Sequence, residues 1–249
     1  MVTAAARAIR RNSSGTAPAF VPTQISGCAL WLDANQITGV ADGGAVAAWN
    51  DTSGNARNVT QVTAAKQPLY RNSNTVVTLP NGKPVLQFDG VNSVMTGSSV
   101  GTLGDFSAFV VASIATLPIN NGTAVHTWQN GSNTNVGLEN FTNSGNFYSV
   151  LYGGVAHNSS GTQDVANTYF QQEAVRSSGT LTQYANGVTL PSTYVNTPSA
   201  ATGSTWIGAN NGAEFFVGQI AELVVYSRGL TATERQQVEG YLRLKYGTP

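Results

Sequence analysis

From residue 25 onward, apolar and polar positions alternate in short runs, and Gly, Asn, Ser and Asp break the runs apart. A period of two marks a strand that buries one face. The runs predict strands over 28–33, 45–50, 84–89, 94–96, 123–129, 135–140, 146–152, 169–176, 180–185, 205–208 and 215–226. Residues 106–114 differ, because Phe106, Ala108, Phe109, Val110, Val111, Ala112 and Ile114 leave almost no polar position. A strand of that kind is covered on both faces and belongs at the centre of a sandwich. Asn186-Gly187 closes the strand 180–185 and reads as a hairpin turn, since both residues tolerate positive φ. The period changes only at the C-terminus. There Thr231-Ala232-Thr233-Glu234 has the form of a capping box, Val238, Tyr241, Leu242 and Lys245 share a helical stripe, and Gly247 suits a C-cap. The pattern predicts an all-β, two-sheet antiparallel sandwich with one C-terminal helix.

Residues 1–23 follow neither period. Residues 4–11 suit a short helix, and 13–22 are rich in Ser, Gly and Pro. The segment reads as an extended N-terminal arm, with 24–249 as one domain. After Val2 its only large apolar side chains are Ile9, Phe20 and Val21. Those return about 1.5–3 kcal/mol each on burial, against about 1–2 kcal/mol of backbone entropy per ordered residue. The arm is therefore expected to leave the sandwich and contact another subunit through Arg7, Arg10, Arg11 and Phe20.

Four segments carry a family likeness. Leu30-Trp31-Leu32-Asp33-Ala34 is followed by Trp49-Asn50-Asp51-Thr52-Ser53-Gly54. Pro84-Val85-Leu86-Gln87-Phe88-Asp89-Gly90 is the second, and Tyr184-Ala185-Asn186-Gly187-Val188 the third. The fourth runs from Trp206-Ile207-Gly208 through Phe215-Phe216-Val217-Gly218-Gln219-Ile220-Ala221-Glu222-Leu223 and Tyr226-Ser227-Arg228-Gly229-Leu230-Thr231 to Lys245-Tyr246-Gly247. Together they resemble the concanavalin A-like lectin/glucanase superfamily, in its laminin G-like bacterial and phage branch. The resemblance implies a jelly roll over about residues 25–247. It also implies sugar binding, adhesion or a structural role, without choosing among them.

Composition narrows the classes. Charged residues are 10% of the chain and the formal net charge is zero, so no basic footprint for nucleic acid exists. No apolar run is long enough for a membrane-spanning helix, and no apolar stretch after Arg7, Arg10 and Arg11 suggests a signal peptide. The single cysteine, Cys28, has no disulfide partner within the chain and reads as a structural thiol.

The superfamily's glucanases place carboxylates alternately on one strand, so that acid and nucleophile flank one bond. The twelve acidic residues here are scattered, and no such run occurs. The chain is accordingly expected not to be an enzyme. His126, in a strand near Trp128, reads as a packed or hydrogen-bonded residue, and His157 as a solvated loop residue. Sugars need aromatic faces beside amides, and Trp128, Gln129, Asn130, Asn133, Tyr148, Tyr152 and Asn158 offer both, with filling the sandwich core as the alternative role for the same aromatics. Trp31, Trp49 and Trp206 lie in family-like strands and read as structural. Asp51, Asn55 and Asp89 are oxygen donors near turns and the calcium candidates, although Asp51-Thr52-Ser53-Gly54 is also an ordinary Asx turn. No other cofactor is implied.

These features lead to a non-catalytic virion protein, a decoration or fibre component in a larger assembly, with a lectin-like jelly roll turned toward host glycans. A secreted bacterial carbohydrate-binding or adhesion module is the alternative, and a diverged glycoside hydrolase stands behind both.

Overall fold

A computed structural model describes residues 19–115, 124–131, 136–142, 146–152, 155–158, 166–195 and 203–249. Strands β1 (Cys28–Asp33), β2 (Ala48–Trp49), β3 (Val59–Thr60), β4 (Leu69–Arg71), β5 (Val85–Asp89), β6 (Met95–Ser98), β7 (Phe106–Ile114) and β8 (Ala124–Asn130) form the first half. Strands β9 (Val136–Thr142), β10 (Asn146–Tyr152), β11 (Val155–Asn158), β12 (Tyr169–Ser177), β13 (Thr180–Ala185), β14 (Val188–Val195), β15 (Ser204–Ile207) and β16 (Val217–Tyr226) follow, and helix α1 (Ala232–Tyr246) ends the order. They make two antiparallel sheets, as a jelly-roll sandwich requires. The first has the order β14-β13-β12-β7-β16-β5-β4, and β1 also pairs with β16. The second has the order β11-β10-β9-β8-β15-β6-β3-β2.

Two apolar layers explain the run at β7. Phe106, Ala108, Val110, Ala112 and Ile114 face the second sheet, and with its Trp128, Leu138 and Ile207, and with Leu86 of β5 and Phe216 ahead of β16, they make the main core. Phe109 and Val111 point the other way, into a second cluster with Val238, Leu242 and Tyr246 of α1. The helix thus roofs the outer face of the first sheet, and all nine residues of β7 are buried. The capping box at Thr231 and Glu234 and the left-handed Gly247 cap form as the sequence predicts.

The 45–50 expectation shrinks to the two residues of β2, and β3, β4, β11 and β14 carry no clear periodic signal. In β14 the cause is Pro191, which lacks a ladder donor. It is accommodated because β14 is an edge strand whose pairing is irregular between Thr182 and Tyr184.

The end of the expected arm does not leave the sandwich. Phe20 packs edge-on against Tyr241 of α1, with centroids 5.9 Å apart. The Tyr226 hydroxyl donates to the Pro22 carbonyl at 2.9 Å. Phe20 is therefore spent on its own chain, because the apolar stripe of α1 offers it a surface. Arg7, Arg10 and Arg11 lie outside the described residues.

Candidate functional site

Two bulges decide where the polar chemistry goes. In β16 the register shifts between Ile220 and Glu222, so Ala221 and Glu222 both turn toward α1. Glu222 accepts there from Trp31 Nε1 at 2.7 Å, Tyr241 at 3.0 Å, Tyr246 at 2.7 Å and Lys245 Nζ at 2.6 Å. Lys245 also donates to Asp33 Oδ2 at 2.7 Å, and Asp33 is the register partner of Glu222. Burial, then the neighbouring Asp33 charge, push the Glu222 carboxyl up, with Lys245 pulling against them. Each oxygen of Glu222 has two donors, and the helix seals the group from water. This is a clamp for α1, with no room for a substrate.

A second contact holds the other end of the helix. Arg235 pairs with Glu239, lies 3.6 Å from Glu173 of β12 and stacks 3.9 Å over the Tyr184 ring. Burial pushes Glu173 up to about 8, and Arg235 only partly offsets it.

The bulge in β8, between His126 and Trp128, has a different result. Val136 and Leu138 of β9 face the core, so Gly137 and Glu139 face outward. His126 pairs with Glu139 and Gln129 with Gly137, which puts both on the outer face, whereas Trp128 pairs with Leu138 and points inward. Trp206 of β15 pairs with Gln129 and joins that outer face, half-buried. Above it the chain turns at Asn211-Gly212, both at positive φ, between the mutually bonded Asn210 and Ala213. Gly212 lies against the Trp206 ring, since a Cβ there would come within 3.8 Å of it.

The turn delivers Glu214, itself at φ 50°, a left-handed conformation that costs a non-glycine residue roughly 1–2 kcal/mol. It is held by Asn210 Nδ2 at 2.6 Å and by His126 Nε2 at 3.0 Å. The same Nε2 lies 3.2 Å from Glu139. His126 is thus a donor at Nε2 shared by two carboxylates, and its hydrogen bond holds Glu214 below the usual carboxylate range despite partial burial. His126 and Glu139 are buried, and the Glu214 side chain is 44% exposed. Gln129 is fully buried, yet neither its amide nitrogen nor its oxygen has a partner, and His126 Nδ1 has none. A half-buried indole and an exposed carboxylate thus lie over a buried amide and imidazole whose remaining hydrogen-bonding atoms are unmatched.

The expected sugar residues fare differently. Trp128 is 0% exposed, in the main core, because the bulge reverses the alternation. Asn130 is buried too: it accepts from Ser99 Oγ and Val100 N at 2.9 Å and donates to the Gly101 carbonyl at 3.0 Å, so it organises a loop. These two are corrections to the sequence reading. Asn133 lies outside the described residues, as do the side chains of Tyr148, Tyr152 and Asn158, whose backbones belong to β10 and β11. Trp206, read as structural, is the aromatic that reaches the surface. His126 and Gln129 come from β8, Glu139 from β9, and Asn210 and Glu214 from the loop before β16; apart from Gln129, named as an amide beside Trp128, only the Asn211-Gly212 hairpin signal marks them in the sequence.

The calcium candidates hold turns. Asp51 accepts from the N–H groups of Trp31, Ser53 and Arg57 at 2.8–2.9 Å, and Asn55 turns its Nδ2 toward the Cys28 carbonyl at 2.9 Å. Asp89 accepts from the N–H groups of Val91, Asn92 and Ser93 at 2.9–3.0 Å. Burial opposes the Asp89 charge, but these donors outweigh it and hold the carboxyl below its usual range. These bonds turn Oδ1 of Asp89 and both oxygens of Asp51 toward the chain's own donors, and among the described residues no three His, Cys, Asp or Glu side chains gather as a metal set. Cys28 is half-buried, and burial, aided by Asp51, pushes its thiol up to about 12, too high for a ready thiolate.

Solved structures share this fold at low identity. Trypanosoma rangeli sialidase aligns with a TM-score of 0.58 at 16% identity, over 90% of this chain and 34% of its own. The present chain thus spans about a third of that enzyme. Domain 4 of AbnA, a GH43 extracellular arabinanase from Geobacillus stearothermophilus solved with arabinotriose, gives 0.57 at 16%, over 81% of this chain and 99% of its own. The botulinum neurotoxin serotype D ligand binding domain, solved with N-acetylneuraminic acid, gives 0.58 at 14%, over 90% and 54%. No curated protein matches the chain. A family model matches residues 88–234, more than half of the sequence, and with the two-sheet architecture it places the chain in the concanavalin A-like lectin/glucanases superfamily, as a laminin G-like domain.

Proposed function

We propose that this protein is a non-catalytic glycan-binding module whose binding surface is the outer face of the second sheet around Trp206. The observation that carries the reading is the half-exposed indole in register with a buried amide that has no partner. Buried polar groups are nearly always hydrogen-bonded, so an unpaired amide and imidazole nitrogen beside an aromatic are set to receive a ligand's hydroxyls. Sugars present C–H faces to indoles and hydroxyls to amides. The reading is supported by the arabinanase domain, which this fold matches over 99% of its length and which was solved with arabinotriose. Glu139 and Glu214 share one imidazole nitrogen and do not face one another across an open gap, which supports binding without bond cleavage. Display on a virion or another larger assembly belongs to the same proposal, with support from the small-polar composition and the basic residues of the arm.

A glycan array tests the reading. The full chain should retain a subset of printed oligosaccharides, and Trp206→Ala should lower that signal tenfold or more while the fold persists by thermal melt. An unchanged array profile in Trp206→Ala would move the binding surface elsewhere.

A further inference from the structure

Given that glycan-binding reading, we infer that the surface takes uncharged, hydroxyl-rich sugars and excludes sugars bearing a carboxylate. The first observation is charge. No Lys or Arg occurs between Lys83 and Arg176, or between Arg176 and Arg228. Those stretches supply β6, β8, β9, β10, β11, β15 and the loops that join them, so this face receives no fixed cation from any of them. The remaining strands of the sheet, β2 and β3, flank Arg57, which donates to the Ala29 carbonyl at 2.7 Å. Carboxylate recognition ordinarily relies on guanidinium or ammonium groups.

Histidine does not fill the gap. His126 stands between Glu139 and Glu214, so even a protonated ring leaves that cluster net negative. His157 is on β11, at the far edge of the sheet, with β10, β9 and β8 between it and β15. Glu214 is the exposed charge at the rim, and it repels an anion that approaches Trp206.

The second observation is the fully buried, unpartnered amide of Gln129. An amide has donors on one atom and an acceptor on the other. A sugar hydroxyl donates and accepts, and can meet both. A carboxylate only accepts, so it would leave the Gln129 oxygen unpaired and add charge beside Glu214.

The test uses the full chain on paired oligosaccharides that are identical except for a terminal sialic acid or a carboxylate at C6. The neutral member of each pair should be retained at least about tenfold better. Glu214→Gln should narrow that gap several-fold. Raising NaCl from about 50 to 500 mM on the unmodified protein should also narrow it, which keeps the test alive if the variant fails to fold. Equal or better retention of the acidic member overturns the charge proposal and leaves the glycan-binding reading standing. A gap that neither salt nor Glu214→Gln alters also overturns it. If the unmodified chain retains neither member of any pair, the glycan-binding reading fails and this inference fails with it.

Discussion

The outer faces of the two sheets carry similar side chains and use them differently. On the first sheet, Glu222, Asp33, Lys245, Tyr241, Tyr246 and Trp31 lie under α1, and both Glu222 oxygens are matched to donors. On the second, His126, Glu139 and Glu214 satisfy one another at a single nitrogen, while Gln129 and His126 Nδ1 are left over. A bulge aims the key carboxylate in one face and the key imidazole in the other. The helix makes the difference. It brings its own Lys and Tyr hydroxyls to close the first network, and among the described residues the second face has no helix to do so. A closed network stabilises, and an open one is free to bind.

The largest expected effect is on the closed face. Lys245→Met should leave Asp33 and Glu222 buried without their cation, a loss of about 3–5 kcal/mol in urea unfolding, with glycan retention unchanged at temperatures where the variant is folded. A loss under about 1 kcal/mol would mean that the cluster is not the helix clamp.

A smaller effect on the same face depends on pH. Glu173 has a folded pKa of about 8, raised from 4.5 by burial with Arg235 opposing. The folded state therefore keeps a proton that the unfolded chain releases. This group's contribution is fully present below about pH 4.5 and is lost as pH rises through 8. Relative to Glu173→Gln, the unmodified protein should lose stability between pH 5 and pH 8. Parallel urea midpoints across that range would refute the assignment.

The sequence revealed the frame and hid the site, for a physical reason. β7 was legible because both of its faces are apolar, and α1 because its capping box and Gly247 are local signals. Trp128 was a candidate because it is an aromatic beside amides, a pattern that does not say which face the ring takes, and the β8 bulge turns it inward. A single-residue bulge leaves no trace in composition. The carboxylate search also looked along one strand, whereas Asp33 and Glu222, like His126 and Glu139, meet across adjacent strands. Pairings of that kind depend on register, which a periodic pattern does not specify. Only the loop that carries Glu214 had a local marker, its Asn211-Gly212 turn.

The smallest change in stability should fall on the open face and separate it from the closed one. Gln129→Leu removes two buried unpaired polar atoms, so it should gain on the order of 1 kcal/mol while glycan retention falls. A loss of stability would mean that the amide has a structural partner after all.

The most direct test of the open face follows the four indole N–H signals in a nitrogen–proton NMR spectrum during titration with the oligosaccharide that the array retains best. Trp31 donates to Glu222, and Trp49 and Trp128 are in the core. The Trp206 signal, assigned through Trp206→Phe, should shift progressively with ligand while the other three stay in place. Movement of the Trp49 or Trp31 signal with Trp206 unmoved would contradict the account.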